Sequence, residues 1–296
     1  MKTFFSKNIK LIGVIVLMVV GLSLLVYPFV ANKWNNHVQK RLVDAHENLI
    51  SEAIDDGSLD VQKELELADA YNKDLLPSIL PDSFAEAEQL GADELYMSML
   101  NATDDGIMGE VEIPKIAVNL PIFHTTSEEV LQKGVGHLQG SSLPVGGENT
   151  HSVLSAHRGL PSATLFTDLD QLEEGDNFFI KIMDEYLAYE VDKISVVEPE
   201  DTSPLTVEDG KDLCTLLTCT PYGVNSHRLM VRGHRIEYTP ELLADAQVPT
   251  NGFVSLRTSY GLWVIVGLAI VALFWFGLLF FDKRKSRKDS LDEKNS

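Results

Sequence analysis

The two cysteines of this chain lie close together, in the segment DLCTLLTCTPYG at 212–223. Cys214 and Cys219 fall within one apolar run whose composition predicts a β-strand. Because strand side chains alternate between two faces, the thiols should point in opposite directions, too far apart for a disulfide. A free thiol acts as a nucleophile in its thiolate form, helped by a neighbouring base or cation. Cys219 is therefore a candidate nucleophile, and Cys214 is expected to pack in the core.

A histidine and a cation are the partners that such a thiol requires, and the chain offers several. His157 follows an apolar run in LSAHRG at 154–159, so it lies at a predicted strand end, as Cys219 does. The residues that follow Cys219 supply further candidates, which are His227, His234, Arg228, Arg232 and Arg235. Spacing alone does not choose among them. Burial of both thiols in a β core also explains the cysteines, without any chemistry.

The charge of the chain argues against nucleic-acid binding, and the spacing of its cysteines argues against a zinc site. The formal net charge is −20, and most of the acidic excess lies between two long apolar runs near the chain ends. Such an acidic region argues against binding to nucleic-acid phosphates. The C-x₄-C spacing is not typical of zinc sites, so we expect no metal. We predict no cofactor either.

Short strand-like runs separated by turns fill the chain from 107 to 238 and must position these side chains. They are residues 107–123, 151–156, 177–182, 186–197, 212–218 and 228–238. Many short strands in succession indicate a mainly β fold, either a barrel or a sandwich. Upstream, apolar residues recur at three- and four-residue steps over 35–56 and 60–75, which predicts two helices. The acidic, proline-containing stretch 77–106 is typical of an irregular connector.

Two uncharged apolar runs, 11–31 and 259–281, enclose all of these segments. Each is long enough to cross a hydrocarbon core about 30 Å thick as a helix. Lysines precede the first run and KRKSRK follows the second, which predicts that both termini are cytoplasmic. A cleaved signal peptide is the alternative for the first run, but cleavage after Ala31 would put Phe29 where a small residue is needed. A buried core helix is the alternative for the second run.

The motif TLLTC at 215–219 is followed by TPYGVNSHRLMVRGHR, with LSAHRG about sixty residues upstream. This pattern resembles the sortases, the surface transpeptidases of Gram-positive bacteria, over roughly residues 105–238. The nine-residue interval from Cys219 to Arg228, the helical region before the barrel and the two membrane segments resemble class C, the pilus-assembly sortases. Members of that class usually carry a C-terminal membrane segment and an N-terminal lid.

The resemblance implies an eight-stranded sortase β-barrel with N-terminal helices and a lid, flanked by two transmembrane helices. It also implies that Cys219 is the nucleophile, His157 the catalytic histidine and Arg228 the catalytic arginine. The reaction would cleave an LPxTG-like sorting signal between Thr and Gly through a cysteine thioester, and transfer it to a pilin lysine. The expected partners are pilins or other surface proteins with sorting signals, an amine acceptor and the cell membrane.

The lid of class C sortases usually carries an Asp-Pro-aromatic motif, and PDSF stands at 81–84 in the expected region. Asp82 and Phe84 match the acid and the aromatic residue, whereas Ser83 replaces the usual proline. We expect Phe84 to cover Cys219 and Asp82 to pair with Arg228. The alternative is an ordinary turn, in which Asp and Ser are common.

The complete prediction divides the chain into eight segments. They are a cytoplasmic N-terminus (1–10), a transmembrane helix (11–31), a helical segment (32–76), a lid or connector (77–106), a catalytic β-barrel (107–240), a linker (241–258), a transmembrane helix (259–281) and a basic cytoplasmic tail (282–296). The catalytic domain would lie on the extracellular face of the cell membrane. Two other functions stay open: a sortase that anchors proteins to peptidoglycan, and a non-catalytic, membrane-tethered binding ectodomain.

Overall fold

The computed structural model describes residues 2–75, 80–84, 93–246, 265–269 and 271–272. Residues 28–246 belong to one compact unit. Its eight strands are β1 (Ile107–Ile113), β2 (Val118–His124), β3 (Val135–His137), β4 (Thr150–Ser155), β5 (Asn177–Ile182), β6 (Glu185–Val197), β7 (Asp212–Thr220) and β8 (His227–Ile236). They close into a barrel in the order β1-β2-β3-β4-β7-β8-β6-β5. The predicted eight-stranded barrel is confirmed.

The observed strands differ from the sequence prediction in two respects, beyond shifts of one or two residues at several strand ends. The run 107–123 is not one strand, because a 3₁₀ turn at Pro114–Ile116 separates β1 from β2. Pro114 lacks a backbone N–H, and Ala117 takes a left-handed conformation with φ 52° that no strand continues through. Strand β3, only three residues long, was not predicted, since so short a run has no recognisable alternation.

Residues 2–75 and 93–246 contain five α-helices. They are α1 (Lys2–Asp55), α2 (Val61–Asp74), α3 (Glu94–Ser98), α4 (Glu128–Leu131) and α5 (Pro240–Ala246). Helix α1 runs without interruption through the predicted membrane segment 11–31 and the predicted helix 35–56. Helix α2 begins after Asp60, whose carboxylate accepts a hydrogen bond from the Lys63 N–H at 3.2 Å. The last strand ends at Ile236, and α5 extends into the segment predicted as a linker, 241–258.

One of the helices whose side chains are described is long and apolar enough to cross a membrane, the part of α1 from Val16 to Asp55. Its apolar residues between 16 and 30 are largely exposed to the surroundings. The second predicted membrane run, 259–281, falls mostly outside the described residues. Within it, residues 265–269 and 271–272 are helical. The predicted tail 282–296 lies wholly outside the described part.

The barrel strands separate two apolar clusters. The larger one fills the barrel interior and extends to the N-terminal helices through Ile50, Ala68 and Tyr96. The smaller one lies on the opposite face of β4, β7 and β8 and consists of Leu80, Leu138, Val153, Leu205, Leu217 and Met230. Cys214 belongs to the interior cluster, whereas Cys219 shares the strand face of Leu217 in the smaller one. Both cysteines are free, as the alternation predicted.

Candidate active site

Cys219 and Arg228 lie directly opposite each other on neighbouring strands. They are partners in the antiparallel register of β7 and β8, so their side chains stand on the same face of the sheet. Both residues are buried, with 6% and 7% of their surface exposed. A guanidinium is thus fixed beside a thiol by backbone pairing alone.

His157 joins this pair through the parallel pairing of β4 and β7. The register pairs Ser155 with Leu217, and continuing it for two residues places His157 beside Cys219. Two hydrogen bonds hold the chain along this line: Ala156 N–H donates to the Leu217 carbonyl at 3.2 Å, and the Thr218 hydroxyl donates to the Ala156 carbonyl at 2.7 Å. Histidine, thiol and guanidinium therefore lie at the same end of three adjacent strands.

The other candidates from the sequence are located elsewhere or are engaged in different contacts. His227 is partly exposed and faces Glu198 at 3.3 Å. His234 pairs with Leu213, at the opposite end of β7 from Cys219. Arg232 donates two hydrogen bonds of 2.8 Å to Asp192. Arg235 lies over the ring of Tyr189.

Residues 80–84 cover the three-strand end and include the PDSF motif. Both carboxylate oxygens of Asp82 accept hydrogen bonds from Arg228, at 2.7 Å from Nε and 2.6 Å from Nη2. The Phe84 ring lies 5.1 Å from the Arg228 Cζ atom and 5.7 Å from the centre of the His157 ring. The structure therefore contains the expected Asp82–Arg228 pair. It places Phe84 against the two side chains that flank Cys219.

Ser83, the residue that replaces the usual proline, is buried within segment 80–84. Its hydroxyl is hydrogen-bonded at 2.9 Å to the hydroxyl of Ser155, and both residues are almost fully buried. Ser155 is the last residue of β4 and lies two residues before His157. Segment 80–84 is thus held on the barrel by three contacts. They are the ion pair with Arg228, the hydrogen bond with Ser155 and the packing of Leu80 in the smaller apolar cluster.

The thiol of Cys219 experiences opposing electrostatic effects in this closed arrangement. Burial raises its pKa, the Arg228 guanidinium lowers it, and the Asp82 carboxylate raises it again, with a net increase. The closed site therefore favours the neutral thiol. Burial raises the pKa of Cys214 well above its ordinary value, so that thiol is inert.

Comparison with known proteins agrees with this geometry. The sequence model of the sortase domain family matches residues 111–236. The chain is 45% identical to sortase C-1 from Actinomyces oris, with a TM-score of 0.57 over 60% of this chain and all of that one. This chain belongs to the sortase family. It is also 45% identical to Streptococcus pneumoniae sortase C, with a TM-score of 0.62 over 68% of this chain and 98% of that one.

Curated relatives belong to several kinds of sortase. Sortase D of Bacillus subtilis is 37% identical over 43% of this chain, and sortase A of Streptococcus agalactiae is 26% identical over 46%. These matches cover 63% and 56% of the two relatives, so each spans less than two thirds of the curated protein.

In the sortase barrel, the residues that follow β4 also contact the end of β7 and the residues after it. The sequence analysis did not predict these contacts. Arg158 donates from Nη1 to the Thr220 hydroxyl at 3.0 Å and forms an ion pair with Asp170. Gly159, with φ +86°, lies against the ring of Tyr222, where an added Cβ would come within 3.3 Å of ring carbon. The sequence HRG after β4 was the feature that could have indicated these contacts. The contacts themselves depend on the pairing of β4 with β7, which lies about sixty residues later in the chain.

A carboxylate beside His157 was also missed. Glu128 in α4 lies 3.2 Å from the Nε2 atom of His157. The sequence TTSEEVL predicts a capped helix start there, yet it contains nothing that links this helix to His157.

Proposed function

We propose that this protein is a membrane-anchored cysteine transpeptidase that polymerises pilins. Its substrate would be a sorting signal resembling LPxTG, cleaved between Thr and Gly. The observation that carries the proposal is the placement of Cys219, His157 and Arg228 at one end of β4, β7 and β8. A thiol, a proton-transfer group and a forked cation are the parts that amide exchange through a thioester requires.

The reaction would proceed in two halves. Cys219 transfers its proton to His157 and attacks the Thr carbonyl carbon, and Arg228 donates hydrogen bonds to the oxyanion. The imidazolium then protonates the departing Gly amine, which leaves a thioester on Cys219. An incoming amine loses a proton to His157 and attacks the thioester, so that a new amide forms and the thiol is regenerated. Arg228 is suited to this role because its planar guanidinium donates several hydrogen bonds in fixed directions.

In the closed structure, the lid formed by residues 80–84 takes the place of a substrate. Asp82 occupies two donor groups of Arg228, and Phe84 covers His157. A groove of about 800 Å³ has Leu80, His151 and Thr206 among its lining residues. We infer that displacement of the lid extends this groove to Cys219, where the peptide binds.

Transfer to a pilin is favoured over anchoring to peptidoglycan by the solved structures that the chain resembles. The Streptococcus pneumoniae sortase C structure is described in terms of pilin substrate specificity, and a pilus island 1 sortase C2 of Group B Streptococcus is 48% identical over 60% of this chain. The match to sortase A of Streptococcus agalactiae is weaker, at 26% identity. We therefore propose a pilin lysine as the acceptor.

The proposed topology places the barrel outside the cell, with both termini in the cytoplasm. The apolar part of α1 supports the first membrane anchor. The second anchor, at 259–281, rests on its uncharged sequence and the basic residues that follow it.

Intact-mass spectrometry of residues 33–258 tests the proposal. The protein is incubated with an LPxTG-type peptide and no amine, beside Cys219→Ala and the lid variant Phe84→Ala. We expect a thioester adduct on the wild type or the lid variant and none on Cys219→Ala. Absence of an adduct from both proteins that retain Cys219 would contradict the proposal. Competition between a pilin-lysine peptide and a peptidoglycan amine then identifies the acceptor.

A further inference from the structure

The His157 ring lies between the lid and helix α4. Phe84 contacts it from one side, and the Glu128 carboxylate oxygen Oε2 lies 3.2 Å from its Nε2 atom. The His157 side chain is 19% exposed and that of Glu128 is 56% exposed. One of the two ring nitrogens is thus committed to a carboxylate at the edge of the site.

Glu128 is held in this position by its own short helix. The Ser127 hydroxyl accepts a hydrogen bond from the Val130 N–H at 3.4 Å and so caps the start of α4. Leu131, which is 1% exposed, buries the other side of the helix in the protein. The Gln132 side chain donates to Glu128 Oε1 at 2.8 Å, which leaves Oε2 directed at His157. Each oxygen of the carboxylate therefore has its own partner.

This arrangement has a definite consequence for the proton on His157. When Nε2–H donates to Glu128, the neutral ring carries its lone pair on Nδ1, the nitrogen left to take the proton of Cys219. Once Nδ1 accepts that proton, the carboxylate stabilises the imidazolium, as the acid of a Ser-His-Asp triad does. We propose that Glu128 is a positioning residue that fixes the orientation and tautomer of His157. This inference rests on the proposed function, in which His157 transfers protons.

The neighbouring residue Glu129 provides a matched control. It lies in the same helix and carries the same charge, but its side chain is 80% exposed and is paired with Lys133. Loss of Glu129 changes the net charge of α4 as loss of Glu128 does, without removing a contact to His157.

The experiment uses the full chain in detergent micelles, with the lid opened by Asp82→Ala in every sample. Glu128→Ala, Glu128→Gln and Glu129→Ala are compared with this parent in two assays. The first measures kcat and KM for acylation by an LPxTG-type peptide. The second measures the rate at which a methanethiosulfonate reagent modifies Cys219, which needs no sorting peptide. Thermal unfolding of each variant checks that the barrel is intact.

We expect Glu128→Ala to lower kcat by about ten- to a hundredfold, the cost of a misplaced catalytic group, with KM nearly unchanged. It should also slow thiol modification, because the imidazolium that accompanies the thiolate loses its stabilising charge. Glu128→Gln, which retains an acceptor but no charge, should fall between Glu128→Ala and the parent. Glu129→Ala should match the parent.

Equal rates for Glu128→Ala and Glu129→Ala in both assays would overturn the inference, as would a faster Glu128→Ala. Failure of the proposed function gives a different result. In that case the parent forms no peptide adduct, while slower thiol modification in Glu128→Ala would still support the positioning of His157 by Glu128.

Discussion

At the scale of single residues, the guanidinium of Arg228 has a geometry that lysine does not reproduce. Two of its nitrogens bind Asp82, and Nη1 also donates to the carbonyls of Asn225 and His227 at 3.3 Å. We infer that the donors now facing Asp82 face the substrate when the lid is displaced. A lysine ammonium is a single charged point and cannot place two donors in one plane.

We therefore predict that Arg228→Lys lowers the rate of peptide acylation by about a hundredfold, as expected for loss of an oxyanion donor. Single-turnover mass spectrometry in the Asp82→Ala background measures this rate. Arg235→Lys is the control, because Arg235 lies over the Tyr189 ring and outside the site. A rate near that of the parent in Arg228→Lys would remove Arg228 from the proposed mechanism.

Ser83 leads to a second prediction at this scale. Its buried hydrogen bond to Ser155 attaches the lid where a proline would only restrict the backbone. Loss of either hydroxyl leaves the other buried and unpaired, which costs about 1 kcal/mol or more. We predict that Ser83→Ala and Ser155→Ala each increase the rate of Cys219 modification about fivefold, since 1 kcal/mol corresponds to about that ratio at 25 °C.

The double variant Ser83→Ala/Ser155→Ala separates this bond from a general loosening of the site. Replacing both hydroxyls leaves no unpaired group, so the rate should return towards that of the wild type. Additive effects of the two substitutions would show that the hydroxyls act independently.

At the scale of elements, the lid combines one charged attachment with one aromatic contact. Asp82 and Arg228 are both largely buried, and removing one member of such a pair leaves an uncompensated charge. We predict that Asp82→Asn opens the lid and increases the rate of Cys219 modification at least about a hundredfold, because breaking a buried pair costs about 3–5 kcal/mol. Phe84→Ala should also increase this rate.

The pH dependence of the Cys219 modification rate should also change in a defined direction in Asp82→Asn. The Asp82 carboxylate raises the pKa of Cys219, so Asp82→Asn should shift the rise in modification rate to lower pH. Glu66→Ala, a change at an exposed acidic residue of α2, is the control. Unchanged modification of Cys219 in Phe84→Ala would show that the aromatic residue does not restrict access to the thiol.

At the scale of the whole molecule, a buried histidine of the barrel, His137, contacts the N-terminal helix α3. The His137 ring contacts the Tyr96 hydroxyl through Nδ1 at 2.9 Å and the Ser142 carbonyl through Nε2 at 2.8 Å. Complete burial lowers its pKa from 6.5 to about 4, with His124 nearby adding to the decrease. The His137 ring is therefore neutral in the folded protein, and it packs between α3 and β3 in that form.

We predict that this histidine makes the protein less stable in acid. Because its pKa is lower in the folded state, the unfolded state binds the extra proton first, and stability falls as the pH decreases from 6.5 to about 4. The loss amounts to about 3 kcal/mol at pH 4 for one such group. Urea unfolding of residues 33–258 between pH 7 and pH 4 measures it.

His137→Gln should flatten this pH dependence, even if the variant is less stable at pH 7. His37→Gln, a change at an exposed histidine of α1, should leave the dependence as it is in the wild type. An equally steep loss of stability in His137→Gln would assign the acid sensitivity to other groups.

Local patterns in the sequence determined several features without any tertiary information. The alternation of side chains along β7 separated Cys214 from Cys219, because neighbouring strand residues always face opposite sides. Periodicity predicted α2 within a residue at each end, and β5 at its observed bounds. The motif around Cys219 resembled the family to which the chain belongs.

Only the tertiary structure decided which distant groups meet. The parallel pairing of β4 with β7 brings His157 to the end of β7 that carries Cys219, and residues so far apart in sequence carry no local signal of this proximity. The same holds for Glu128 beside His157, whereas the pairing of Asp82 with Arg228, 146 positions away, was expected only from the family resemblance. Strand order and lid docking follow from burial summed over the whole barrel, so spacing in the sequence left the choice among the candidate histidines and arginines open, and before the fold only the family resemblance pointed to His157 and Arg228.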